Sequence, residues 1–182
     1  MIEDILLDQY YNAFDNENYI IALKILKKIK PIQQDSAWVN AKIAECYYEL
    51  KKYKIAIKYC YKSLAVQGKY PLPLWILGNS FYYLKKYNNS VNVFLEVINL
   101  TEYDIGKRET RLGISWAKSL KMDCYLKVSD NFYMMEKDID AQNYFQKFKL
   151  IRNKGVKSCL PNSYIKSIRQ KMKEISQASA SL

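Results

Sequence analysis

A period of 34 residues constrains this 182-residue chain more than any other feature. The segment YYELKKY at residues 47–53 recurs as FYYLKKY at residues 81–87. The same spacing relates three tyrosines and three small residues, namely Tyr19, Tyr53 and Tyr87, and Ala22, Ala56 and Ser90. Apolar residues within the period recur at i, i+3, i+4 and i+7, the spacing of a helix with one buried face. The period therefore predicts antiparallel helix pairs that stack along the chain, because no single pair can bury its own apolar face.

The third of these units resembles a tetratricopeptide repeat (TPR). The W-x2-L-G-x2-Y spacing of that family is held here by Leu74, Leu77, Gly78 and Phe81. Trp75 stands one residue late for the tryptophan of the pattern. The resemblance extends over about residues 3–136. It implies an all-α, right-handed solenoid of antiparallel helix pairs, in which the first helix of each pair lines a concave, partner-binding surface.

We expect a single TPR domain over residues 1–182. Its predicted parts are four repeats, two C-terminal helices and a frayed tail, at about residues 3–34, 37–70, 71–104, 105–138, 139–152, 161–177 and 178–182. The fourth repeat has the weaker match, in which Leu77, Gly78 and Phe81 are followed after 35 residues by Leu112, Gly113 and Trp116. The last predicted helix is amphipathic, with one apolar face formed by Ile165, Ile168, Met172 and Ile175.

The composition argues against an enzyme, a metal site and a membrane span. The chain has no histidine and no Gly-rich phosphate loop, and its four cysteines show no CxxC spacing, so we expect neither catalysis nor a cofactor. Cys60 shares the phase of Leu26 and Phe94, which predicts a buried thiol and favours a reducing compartment. No apolar run is long enough to span a bilayer, and acids rather than lysines mark the first residues. These features predict a cytoplasmic protein.

The net charge of +11 is unevenly placed. Residues 1–50 hold 5 Lys/Arg against 8 Asp/Glu, residues 51–136 hold 14 against 7, and residues 137–182 hold 10 against 3. A lysine-rich solvated surface explains this distribution, and so does an acidic or polyanionic partner on the C-terminal half. A nucleic-acid-binding protein is therefore an alternative. The interleaved acids and the lack of a base-reading motif argue against it.

Helical geometry assigns a candidate binding surface to the side of each first helix that faces away from the core. With Ile43, Ala44 and Tyr47 facing the core, this surface begins acidic in the first repeat, becomes aromatic in the second and third, and ends basic in the fourth. The predicted partner-binding residues are Tyr11, Trp38, Tyr48, Trp75, Asn79, Tyr82, Tyr83, Lys107 and Arg111. Exposed rings cost free energy in water, and Trp, Tyr and Arg are enriched at binding hot spots. The alternative is that some rings fold inward, or that the C-terminal helix lies across them.

These features predict a non-catalytic scaffold or adaptor that holds a peptide or helix of a partner protein in its concave groove. Some relatives clamp the C-terminal carboxylate of heat-shock chaperones with Lys, Asn and Arg side chains. Ala41, Glu45 and Ile76 occupy three of those places here, so a clamp of this type is not expected. Bacterial secretion chaperones built of three such repeats are similar in size. A small chaperone for a secreted protein is therefore a second alternative.

Overall fold

Helices form the regular structure throughout the described part of the chain. The computed structural model describes residues 2–33, 36–108 and 113–180. Within these ranges it contains ten helices and no strand: α1 (Ile2–Asp15), α2 (Tyr19–Ile29), α3 (Ala37–Glu49), α4 (Tyr53–Val66), α5 (Pro71–Tyr83), α6 (Tyr87–Asn99), α7 (Glu102–Arg108), α8 (Gly113–Met134), α9 (Asp138–Arg152) and α10 (Asn162–Ala180). The prediction of an all-α repeat fold is confirmed.

The helices form two compact units, Met1–Lys85 (unit 1) and Lys86–Leu182 (unit 2). In unit 1, α1 packs on α2 and α3 packs on α4, while α2 and α4 each also pack on the helix that follows. In unit 2, α6 and α9 both pack on α8, and α10 contacts α8 and α9. Neighbouring helices thus supply the apolar partner surface that an isolated helix pair lacks.

The turn inside a helix pair has one repeated backbone conformation. Left-handed φ values of 59°, 57° and 58° occur at three residues spaced by 34, Glu17, Lys51 and Lys85. After α3, the Lys51 amide donates a hydrogen bond to the Tyr48 carbonyl, and the Lys52 amide donates to the Tyr47 carbonyl, both at 2.8 Å. These bonds satisfy carbonyls that the last turn of the helix would otherwise leave unpaired. The turn therefore ends one helix and lets the next begin within a few residues.

Repeat positions with small side chains are buried between the helices. The small residues of the 34-residue phase are fully buried, and so are the residues four positions later: Ala22, Ala56 and Ser90, then Leu26, Cys60 and Phe94. Burial raises the pKa of the Cys60 thiol, and the prediction of a buried thiol is confirmed. A polar bond joins the same pair, since Ser63 Oγ on α4 donates to the carbonyl of Ala37 on α3 at 2.7 Å.

The next helix pair is displaced along the sequence. The left-handed turn residue recurs at Glu136, which lies 51 rather than 34 residues after Lys85. With the same displacement, the buried small residue recurs at Ala141 and the larger buried residue at Phe145. This pair therefore consists of α8 and α9. Here too a serine joins the two helices, because Ser129 Oγ donates to the Ala141 carbonyl at 2.7 Å.

This register differs from the predicted fourth repeat at 105–138. The match of Gly113 to Gly78 predicts a buried contact within a first helix, but Gly113 is exposed and begins α8 with a φ of 64°. The short helix α7 is an addition to the repeat, and it packs against α8. A Cβ at Gly106 of α7 would lie 3.0 Å from the carbonyl carbon of Gly113, so this approach requires glycine at position 106.

The last helix packs inside unit 2. Its predicted apolar face is confirmed, because all four of its members are buried against α8 and α9: Ile165, Ile168, Met172 and Ile175. Helix α10 continues to Ala180, three residues beyond the predicted end of the helix. Residues 181–182 of the predicted frayed tail lie outside the described ranges. The core contributed by α10 therefore belongs to unit 2, together with the rings of Phe145 and Phe148.

Two buried carboxylates of α8 hold the C-terminal helix and the loop before it. Asp130 is fully buried and accepts hydrogen bonds from Tyr164 Oη and Lys171 Nζ of α10, both at 2.7 Å. Asp123 accepts hydrogen bonds from Ser158 Oγ and from the Cys159 amide. Such charge-assisted bonds are stronger than neutral ones. The polar contacts therefore define where α10 begins and how it lies on α8.

Replacing Lys51 by glycine should stabilise the protein. A non-glycine residue at a φ of 57° carries a steric cost that glycine lacks, and this outweighs the greater freedom of glycine in the unfolded chain. We expect Lys51→Gly to raise the free energy of unfolding in urea by about 0.5 kcal/mol. The matched control is Lys58→Gly in the middle of α4, which should lower that free energy by about 1 kcal/mol. Equal effects of the two changes would contradict the assignment of the turn.

Asp123 should make stability depend on pH. Burial raises the pKa of its carboxyl to about 6, although the bonds from Ser158 and Cys159 favour the ionised form. An unfolded aspartate has a pKa of about 3.9, so between about pH 4 and pH 6 only the folded chain holds this proton. The free energy of unfolding should therefore fall as the pH rises through this window and then level off.

The Asp123→Asn variant removes this titration. Urea unfolding of both proteins should show that the difference in unfolding free energy, native minus variant, falls by roughly 2 to 3 kcal/mol across the window. Parallel stability profiles for the two proteins from about pH 4 to pH 7 would show that the Asp123 pKa is not raised in the folded state.

Candidate functional site

Four tyrosines of unit 1 form a cluster at the C-terminal ends of α3 and α5. The rings of Tyr53 and Tyr83 stack with their centroids 4.9 Å apart and their planes 9° from parallel. Tyr48 lies 5.8 Å from Tyr53 and 6.1 Å from Tyr83. Tyr82 meets Tyr83 edge to face, with centroids 5.7 Å apart. The structure thus brings together three of the predicted residues, Tyr48, Tyr82 and Tyr83, with Tyr53 as a fourth ring.

One contact in this cluster is repeat packing. In the first helix pair, Phe14 at the end of α1 meets Tyr19 at the start of α2, with centroids 5.3 Å apart. The contact between Tyr48 and Tyr53 is its equivalent in the second pair, 34 residues later. Tyr83 has no such role, because its repeat position is acidic in the first two units. It is also 51% exposed, so this ring departs most clearly from what packing requires.

Glutamates surround the rings. Burial raises the pKa of the Glu49 carboxyl above its usual range, and the neighbouring carboxylates of Glu45 and Glu17 raise it further. Burial also raises the pKa of Tyr53, with smaller contributions from Tyr83 and Glu49. Glu45 forms a salt bridge with Lys42 at 2.9 Å. The rings and acids together form one surface of unit 1, called here the aromatic surface: Tyr48, Tyr53, Tyr82, Tyr83, Glu45 and Glu49.

A second ring cluster joins α1 to α3. Tyr10 is fully buried and meets Trp38 edge to face, with centroids 5.9 Å apart. Tyr11 lies 6.5 Å from the same Trp38 ring and is 39% exposed. Trp38 is half-buried. The predicted residues Tyr11 and Trp38 therefore do meet, and the fully buried Tyr10 forms the base of the cluster.

The remaining predicted residues have different fates. Trp75 is half-buried on α5. Asn79 is only 1% exposed, and its Nδ2 donates to the Trp75 carbonyl at 2.8 Å, so it offers no accessible surface to a partner. The burial of Asn79 follows from the packing of α5, which lies against both α3 and α4. The side chain of Lys107 and the whole of Arg111 lie outside the described part of the chain, so the basic end of the surface stays a prediction.

Tyr53 is the residue that sequence reasoning missed. Its repeat phase, shared with Tyr19 and Tyr87, indicates packing and conceals the stacked contact with Tyr83. The signal that could have found it is the tyrosine at position 83, where the earlier repeats have Asp15 and Glu49. A ring at that position can reach the first ring of the preceding second helix.

Two further observations concern metals and membranes. In residues 2–33, 36–108 and 113–180, no group of three or more Cys, Asp or Glu side chains is placed to hold a metal ion. None of the helices within those ranges combines the length and apolar character needed to cross a bilayer.

The chain is similar to known repeat proteins. No protein-family model matches the sequence. Over 84 residues it is 31% identical to the tetratricopeptide repeat protein 21 homolog of Caenorhabditis elegans, a match that covers 46% of this chain and 6% of that protein. The chain therefore spans only a small part of this relative's length.

Solved structures show the same fold. The TPR-like repeats attributed to a kinesin light chain of Podosopora anserina match with a TM-score of 0.66 and 13% identity, over 100% of this chain and 89% of that one. MamA of Desulfovibrio magneticus matches with a TM-score of 0.53 and 12% identity, over 84% of this chain and 96% of that one. At such identities the likeness concerns the fold alone. The 34-residue period, the paired helices and these likenesses together assign the chain to the tetratricopeptide repeats.

Proposed function

We propose that this chain is a non-catalytic scaffold whose aromatic surface binds a basic segment of a partner protein. The TPR fold supports a role in protein–protein interaction in general terms. The observation that carries the finer proposal is the stacked pair of Tyr53 and Tyr83, which is half exposed beside Glu49. Packing alone does not require a ring at position 83.

The chemistry of the surface favours a cationic partner. A lysine or arginine side chain gains energy over the face of a tyrosine ring, and a guanidinium can stack on it. The carboxylates of Glu17, Glu45 and Glu49 raise one another's energy, as the elevated pKa of Glu49 reflects. A bound cation would relieve this repulsion. An acidic segment would increase it, so the sign of the partner's charge follows from the surface itself.

The two ring clusters suggest a length for the partner segment. Trp38 and Tyr48 are ten residues apart on α3, which corresponds to about 15 Å along a helix. An extended peptide covers this distance with about five residues. A segment with an apolar anchor at Trp38 and Tyr11 and a basic residue at Tyr83 would therefore contact both clusters. A partner that proves to be an aggregation-prone secreted protein would make the scaffold a small chaperone.

Removing the Tyr83 ring should release the partner without unfolding the chain. We expect Tyr83→Ala to reduce partner recovery by about fivefold or more in affinity purification from the source organism, quantified by mass spectrometry. Trp75→Ala should have an effect in the same direction. The matched control is Tyr61→Ala, which removes a 54% exposed ring from α4 and should leave recovery unchanged.

A folding measurement accompanies that comparison. Because Tyr83 is half exposed, its truncation should lower the free energy of unfolding by less than about 1.5 kcal/mol, whereas Phe94→Ala should lower it by about 3 kcal/mol or more. Undiminished recovery by well-folded Tyr83→Ala and Trp75→Ala would refute the proposed site.

The charge preference has a separate test with a defined probe. A short fluorescein-labelled peptide of alternating lysine and leucine should bind, as measured by fluorescence anisotropy, and Glu49→Lys should weaken this binding by about tenfold. The matched control is Glu96→Lys, which reverses an exposed acid in unit 2 and should leave the affinity nearly unchanged. Equal weakening by both reversals would show attraction to the net charge rather than to the aromatic surface.

A further inference from the structure

A groove lies between α9 and α10 in unit 2, away from the aromatic surface of unit 1. Its volume is 440 Å³, which is within the range of ligand pockets. Phe145 of α9 and Met172 of α10 line it, and both side chains are mostly buried in the core beneath. We call this feature the α9–α10 groove.

The two helices run antiparallel along this groove. Gln142 near the start of α9 donates a hydrogen bond to Ser176 near the end of α10, with Nε2 and Oγ 3.2 Å apart. The lining positions on α9 are 142, 145, 146 and 149, and those on α10 are 169, 172, 173, 176 and 177. Each set follows the i, i+3, i+4 spacing of one helix face. The groove is therefore a regular feature of two facing helices and not an irregular gap at a loop.

All charged residues that line the groove are cationic: Lys149, Arg169 and Lys173. Within the described ranges none of the three forms a salt bridge. The Lys149 Nζ lies 5.5 Å from the centroid of the Phe145 ring. Glu174, the acid nearest in sequence on α10, accepts a hydrogen bond from Gln170 instead. The groove thus combines an apolar floor with a rim that carries uncompensated positive charge.

We propose that the α9–α10 groove binds an acidic segment of a partner protein. Carboxylates of this segment would pair with Lys149, Arg169 and Lys173, and an apolar side chain would lie on Phe145 and Met172. A cation paired at the rim of a groove mainly provides orientation and selectivity, while the apolar contact provides burial. This site is additional to the aromatic surface and prefers the opposite charge.

The lining favours an acidic peptide over nucleic acid. Proteins that bind single strands without sequence preference present exposed rings on which the bases stack. The one aromatic ring that lines the groove is Phe145, which is 5% exposed and serves as floor. Carboxylates and phosphates both suit the three cations, so the test includes an oligonucleotide.

The test uses the full chain and two labelled probes in fluorescence anisotropy at low salt. The first probe is a short fluorescein-labelled peptide of alternating glutamate and leucine. It should bind, and the double variant Arg169→Glu/Lys173→Glu should weaken its binding by about tenfold. The control Lys154→Glu/Lys166→Glu makes the same change in net charge at exposed positions outside the groove. It should leave the affinity within about twofold of the native value.

The outcomes separate this proposal from its alternatives. Absence of binding, or equal weakening by the two double variants, would overturn it. It would also be overturned if a labelled single-stranded oligonucleotide bound more tightly than the peptide and lost affinity in the groove variant. A peptide of glutamate and glycine should bind at least about fivefold more weakly, because it lacks the apolar contact, and equal affinity would remove the role of Phe145 and Met172.

The same variants distinguish this groove from the aromatic surface. The groove variant should leave binding of the lysine and leucine peptide unweakened, and Tyr83→Ala should not weaken the glutamate and leucine peptide. Loss of both probes in either variant would show that it perturbs the whole fold. Circular dichroism of each variant at the assay temperature provides the direct measure of folding, and a folded groove variant with native affinity for the acidic peptide would overturn the inference.

Discussion

The close packing of two helices joined by a left-handed turn is the interaction on which the rest of this structure depends. At each such turn one residue adopts a positive φ, and a small buried residue follows five positions later, as in Lys51 and Ala56. The turn reverses the chain within three residues, and the small side chain allows the second helix to lie against the first. Every surface in the protein is then the side of a helix that this packing leaves uncovered.

The two units present surfaces of opposite character. In unit 1, rings and carboxylates meet at the ends of α3 and α5, with Tyr83 stacked on Tyr53 and Glu49 beside them. In unit 2, Arg169 and Lys173 line a groove with an apolar floor, and the buried Asp130 holds the helix that carries them. One scaffold with two such surfaces could bind a basic segment and an acidic segment at the same time. This would suit an adaptor better than a single-ligand receptor.

Much of the fold could be predicted because packing repeats. The period places Ala22, Ala56 and Ser90 in equivalent buried positions, and the apolar face of α10 follows from helical spacing alone. The register of α8 and α9 could not be predicted, because α7 interrupts the period and Gly113 imitates the glycine of the third repeat. A motif of a few apolar and small residues does not distinguish a helix contact from a helix start.

The sequence by itself determined the class of fold, the helical faces that are buried, and the positions at which rings depart from the repeat. These follow from local periodicity, since each depends on residues one or two turns apart. Only the tertiary structure decided that Asn79 is buried, that Tyr53 stacks on Tyr83, and that α9 and α10 enclose a cationic groove. These facts depend on side chains from different helices, whose separation is set by packing rather than by spacing along the chain.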